Sequence, residues 1–130
     1  MSNAPTVLLG LMPLLRAVVR STTSATATTV TADDSGTLFV DLSTSSHTYT
    51  LPTLALGEGK HWMFFAGDTT ASTVITGGTA DKIIGGDNAA ADSMTSASVL
   101  GDWALVVCDG TWYYFICGSA ADSDSWDASG

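Results

Sequence analysis

The sequence predicts an all-β fold, a single antiparallel β-sandwich or small barrel with an extended N-terminal arm and a C-terminal tail. Three observations predict it. Short apolar, β-branched runs alternate with Gly, Asp, Ser and Pro turns roughly every eight to twelve residues, the spacing of sandwiches and barrels. The run GDWALVVCDGTWYYFICG, residues 101–118, joins two such stretches by Asp109-Gly110, a strong hairpin signal because a type I′ turn needs positive φ at both central residues. Finally, 130 residues with 45% hydrophobic and only 13% charged side chains suffice for one real core and are not a disordered composition.

Residues 1–20 read as an apolar arm. VLLGLMPLLRAVVR is too short to span a bilayer and is broken by Gly10 and Pro13. Its charge follows the apolar run, whereas a secretory signal carries it before, and the chain opens at Met1, so no removed leader is expected. Leu11, Leu14, Leu15 and Val18 have helical spacing, and Pro13 suits a first helical turn. The arm therefore reads as a partner-binding segment made by Val7, Leu8, Leu9, Leu11, Met12, Leu14, Leu15, Arg16, Val18 and Arg20. A helix packed on its own domain is the alternative.

Residues 21–31 are Thr- and Ser-rich and read as an extended linker or edge strand. Residues 32–118 form the β domain. ADDSG is a turn; TLFVDLS is a strand with Leu38, Val40 and Leu42 on one face and Thr37, Phe39 and Asp41 on the other. TYTLP is a short strand ended by Pro52, and LALGEGK a Gly-rich turn. HWMFFAG is apolar on both faces and should be central. STVITGG and DKIIGG are strands, and residues 87–96 read as loop. Seven or eight strands are expected. In the closing hairpin a two-residue loop would set Cys108 opposite Thr111 and Trp103 opposite Ile116. Trp103, Leu105, Val107, Trp112, Tyr114 and Ile116 would then form the core face. The other face, with Tyr113 and Phe115, is too apolar for water and calls for a second sheet or another chain; it reads as a subunit interface, joined by Trp126 of the tail. Residues 119–130 are that acidic tail. Cys108 and Cys117 would lie about 20 Å apart, too far for a disulfide, and read as buried thiols of a reducing cytosol.

The formal charge is −9, and beyond residue 20 only Lys60 and Lys82 stand against all 13 acids, so the body has no basic stripe for nucleic acid. His47 and His61 lack metal-ligand spacing and read as structural or surface residues. GEGKH lacks the first glycine and the Ser/Thr of a phosphate loop. Asp33, Asp34 and Asp41, like Asp122, Asp124 and Asp127, lack calcium-loop spacing and read as solvated turns. No catalytic constellation, cofactor site or metal site is expected, and no membrane segment.

The succession TADDSGTLFVDL, TYTLPTLALGEGKHWMFF, DKIIGGD and GDWALVVCDGTWYYFICG resembles a β-rich module of tailed-bacteriophage virion proteins over about two-thirds of the chain. Such modules occur in head decoration (cement) proteins, head fibres and tail fibres, usually as trimers. The resemblance implies a non-enzymatic structural role. The length, without a fibre shaft, favours a homotrimeric decoration protein, made in the host cytoplasm and bound to the major capsid protein on the outer surface of the virion. Two rivals are a fibre module that binds receptor or glycan through exposed Trp62, Trp112 or Tyr114, and a small glycan hydrolase using turn aspartates.

Overall fold

The computed structural model describes residues 15–68, 70–85, 90–118 and 126–129. Among them are eleven strands: β1 (Ala17–Arg20), β2 (Ala27–Thr29), β3 (Thr37–Asp41), β4 (His47–Thr50), β5 (His61–Ala66) and β6 (Thr73–Thr76), then β7 (Ile83–Ile84), β8 (Ser93–Ser96), β9 (Trp103–Cys108), β10 (Tyr113–Gly118) and β11 (Trp126–Ser129). A 3-10 turn covers Ala32–Asp34 and a one-turn helix, α1, covers Leu54–Gly57, where a Gly-rich turn was expected.

The strands form two sheets. The first has six strands in the order β1-β3-β5-β9-β10-β7, the second five in the order β11-β8-β6-β4-β2. The all-β expectation holds, and of sandwich and small barrel it is the sandwich that forms, but its sheets are mixed rather than antiparallel. From β1 to β6 the chain lays one strand in the first sheet and the next in the second, so β1, β3 and β5 stack in parallel, as do β2, β4 and β6. These are three flattened coils. Antiparallel strands then close the far end, with β9 beside β5, β10 beside β9, β8 beside β6 and β11 beside β8. Alternating burial has the same period of two in parallel and antiparallel strands, so the pattern in the sequence does not distinguish them.

The core lies between the sheets. Phe39 and Phe64 from the first sheet meet Tyr49 from the second with ring centroids 5.3–5.5 Å apart. Such pairs add about 0.5–1.5 kcal/mol each beyond the area they bury. Trp62, Ile75, Ile83, Met94 and Tyr113 are fully enclosed around them.

Several expectations need correction. The helix anticipated through Leu15 and Val18 is absent there: the β-branched AVVR segment pairs with β3 as an edge strand. The remaining arm residues Val7, Leu8, Leu9, Leu11, Met12 and Leu14 lie outside the described residues. Ser93–Ser96, expected as loop, is a strand. The tail re-enters the fold as β11, so the β domain does not stop at 118. In the closing hairpin Tyr113 faces Cys108 and Ile116 faces Leu105, a shift of two residues from a two-residue loop. Asp109 causes it: its Oδ1 accepts the N–H groups of Thr111 and Trp112, both at 2.8 Å, which builds an Asx-type four-residue loop with Gly110 at φ 87°.

A two-residue shift keeps the two face sets intact, but their sides are reversed. Ala104, Val106, Cys108, Tyr113 and Phe115 point into the core, while Trp103, Tyr114 and Ile116 point out. The smaller β9 side chains face inward because Trp62 and Phe64 of neighbouring β5 already fill that layer. Tyr113, Phe115 and Trp126 are therefore not subunit-interface residues. Phe115 and Trp126 pack edge to face at 5.2 Å within the chain's own core. The cysteines form no disulfide; Cys108 is buried, and Cys117, opposite Ala104, is half-buried.

Candidate functional site: an apolar sheet face

The two outer faces of the sandwich differ in kind. On the second sheet, the row Thr29–Thr50–Thr76–Ser93–Ser129 presents hydroxyls across all five strands. Beside it runs Ala27–Thr48–Val74–Thr95–Asp127. This is a solvated surface.

The outer face of the first sheet is apolar. Its middle row, Val18–Leu38–Met63–Leu105–Ile116, crosses five strands without a polar side chain. One flanking row runs Arg20–Val40–Phe65–Trp103–Gly118, the other His61–Val107–Tyr114–Ile84. No acid lies in any of the three rows. Val18 is 54% exposed, Ile116 52% and Trp103 43%, and no described residue covers them. Gly118 makes room for Trp103, since a Cβ there would overlap the indole, so the ring lies across the glycine of its partner strand. Tyr114 is held upright by donating its hydroxyl to Asp109 Oδ2 at 2.7 Å. That bond, with the backbone N–H groups of the loop, holds the Asp109 carboxyl below its ordinary range, and the same bond raises the Tyr114 phenol above its own.

Of the arm residues, Leu15, Arg16, Val18 and Arg20 are described, and all four are exposed. The Arg16 guanidinium donates to the Ser35 carbonyl at 3.1 Å, which ties the start of β1 to the 3-10 turn. Val18 and Arg20 belong to the apolar face and its edge.

A second cluster occupies the corners where the chain leaves the first sheet. His47 Nδ1 is 3.0 Å from Asp41 Oδ1, and His47 Nε2 is 2.7 Å from the Thr28 hydroxyl. Asp41 also accepts from Thr73 Oγ1 at 2.6 Å, from the Ser43 N–H at 3.0 Å and from Ser21 Oγ at 3.3 Å. Hydroxyl, imidazole and carboxylate stand in the order of a nucleophile triad. His47, however, is 0% exposed and stacked on Tyr49 at 4.2 Å, so no leaving group bound in solvent reaches Nε2. What the cluster does is join three coils: Ser21 and Thr28 come from the first, Asp41 and His47 from the second, Thr73 from the third. Burial, with the Asp41 carboxylate adding to it, raises the Tyr49 phenol above its ordinary range.

The aspartate sets anticipated as solvated turns divide. Asp33 and Asp34 remain in the 3-10 turn, where Asp34 Oδ2 accepts the Thr31 N–H at 2.9 Å, whereas Asp41 is buried. Asp127 is an exposed residue of β11; Asp122 and Asp124 lie outside the described residues. Among the described residues no three of His, Cys, Asp and Glu converge as metal ligands. For sugar stacking, Trp62 is fully buried with its Nε1 on the Thr31 carbonyl, and Trp112 lies under the Lys82 ammonium at 4.6 Å. A groove of about 470 Å³ between Thr29, Val30, Leu51, Pro52 and Leu56 has no aromatic wall. No described residue spans a membrane as a long apolar helix.

Of these features the apolar face is the one with exposed surface to offer a partner. Its row order was hidden in the sequence by the parallel coils. The signal that was present was a closing hairpin apolar on both sides. Comparison with protein-family models, with curated proteins and with solved structures finds no match to this chain.

Proposed function

We propose that this chain is a structural protein of a tailed-phage virion, a decoration protein that stands on the outside of the head and bridges major capsid subunits. The observation that carries the assembly half of this reading is the apolar outer face of the first sheet, which has no acid in its three rows and which no described residue covers. Isolated exposed apolar residues need no explanation, but exposed Val18, Phe65, Ile84, Trp103, Tyr114 and Ile116 aligned on one sheet face fit an interaction surface. The phage half is supported by the likeness of the segments between Thr31 and Gly118 to virion modules. The buried Asp41–His47 cluster serves the coils, and no catalytic role is assigned to it.

In this reading the N-terminal arm makes the capsid contact. Burying three Leu or Val side chains on a partner gives roughly 5–8 kcal/mol before ordering costs, and several arms on one assembly multiply it through effective concentration. Residues 17–20 are a strand of the first sheet, so the informative truncation removes only residues 1–14. Full chain and truncated chain are to be sedimented with heads of the parent phage. The full chain is expected to co-sediment, and the truncated chain to stay in the supernatant with an unchanged melting temperature. Binding by the truncated chain would refute the arm. Failure of the full chain to bind would refute the decoration role.

A further inference from the structure

We propose that the groove at the ends of β2 and β4 binds a small aliphatic amine, an alkyl chain with an ammonium head. It lies where successive coils leave the second sheet. Val30 and Leu51 follow β2 and β4 directly, and their N–H groups donate to the Thr50 and Thr76 carbonyls at 2.8 Å. With Ala32, Pro52 and Leu56 they wall a groove of about 470 Å³, the size of a small-molecule site. Gly78 of the third coil completes the lining, resting on the backbone of Leu51, Pro52 and Thr53 where a Cβ would not fit.

The lining asks for an alkyl chain. Leu56 on α1 is 67% exposed, more than any other large apolar side chain described. At the lip of an apolar groove it recovers burial only when an apolar body lies against it. No aromatic residue lines the groove, so a planar ring finds no stacking partner there.

Charge selects the head group. The groove has one ionisable side chain, Asp33, and no lysine or arginine. The Asp33 carboxylate is exposed and takes no hydrogen bond or ion pair among the described residues. The same turn already holds a cation through its backbone, since Arg16 Nη1 donates to the Asp33 and Ser35 carbonyls at 3.4 and 3.1 Å. An ammonium beside Asp33 gains a charge-assisted contact. A fatty carboxylate would face a like charge, on a chain whose net charge is −9. None of the lining residues belongs to the three apolar rows of the first sheet, and the site needs no capsid. It stands or falls independently of the decoration role.

NMR titration of the full chain, methyl-labelled at Leu and Val, tests this with octylammonium, octanoate and ammonium chloride as probes. Octylammonium is expected to shift the methyls of Val30, Leu51 and Leu56 along one saturable curve. Ammonium alone should not shift them, and octanoate should bind at least about fivefold more weakly. Asp33→Asn should weaken octylammonium binding several-fold, whereas Asp127→Asn, the same change of net charge on β11, should leave it unchanged. Leu56→Ser should weaken both octyl probes alike. Octylammonium that shifts Val18 and Leu105 of the first sheet but not the groove methyls would overturn the site. Octanoate binding as tightly as octylammonium, or a folded Asp33→Asn that binds it unchanged, would overturn the choice of ligand. Should a variant fail to fold, the probes compared on wild type still decide.

Discussion

Asp41 is a buried carboxylate on which all three coils meet. Its two oxygens accept from His47, Thr73, Ser43 and Ser21, groups drawn from all three coils. Removing the carboxylate leaves a buried imidazole and a buried hydroxyl short of partners. Asp41→Ala is therefore expected to cost about 3 kcal/mol or more. Urea unfolding of the variant against wild type measures it, and a change below about 1 kcal/mol would mean that water replaces the lost acceptor. Part of this was legible beforehand. Strand alternation places Asp41 on the same side as Phe39, and the same alternation places His47 with Tyr49. Hidden was the fold of the corner, which brings residues on successive coils to within hydrogen-bond distance. An aspartate beside a Ser/Thr turn resembles a solvated one until those coils are stacked.

At the scale of elements, strand composition was readable and strand partners were not. The TLFVD, HWMFFA and TVIT segments carry the apolar alternation that builds β3, β5 and β6, and β5 is central as its two apolar faces require. The hairpin register escaped because Asp-Gly has two uses. Its backbone suits a type I′ turn, while the Asp side chain can instead accept the N–H groups two and three residues on, and here the side chain prevails. The tail escaped because four residues, WDAS, are too few to show a period. Trp126 alone marked it. Only 6% of that side chain is exposed, and it packs edge to face on Phe115 and anchors β11 against β8. Trp126→Ala should cost about 3–5 kcal/mol, as for other buried large-to-small changes. Thermal or urea unfolding checks this. A loss within about 0.5 kcal/mol, the ordinary effect of a surface change, would return the tail to the status of an appendage.

For the whole molecule, the decisive property is the contrast between two outer faces built by the same alternation. One sheet turns Thr and Ser to solvent; the other turns Val, Leu, Met, Phe, Trp and Ile. Two sheets bury two of the four available faces, and among the described residues nothing covers a third, apolar one. The closing hairpin announced that surplus in the sequence, but which of its sides meets the second sheet depends on the size of the side chains arriving from β5. Nor could the sequence show the rows themselves. Thr29, Thr50 and Thr76 are neighbours across parallel strands although 21 and then 26 residues separate them, so no fixed repeat betrays the coils. A chain with such a surplus face is suited to being a part of something larger. Hydroxyl-radical footprinting of the full chain bound on phage heads, compared with the same chain free in solution, tests that most directly. Oxidation of Phe65, Trp103 and Tyr114 is expected to fall several-fold on the heads, while that of exposed Leu56, away from the face, stays the same. Equal oxidation of the three aromatic residues in both states would contradict the account.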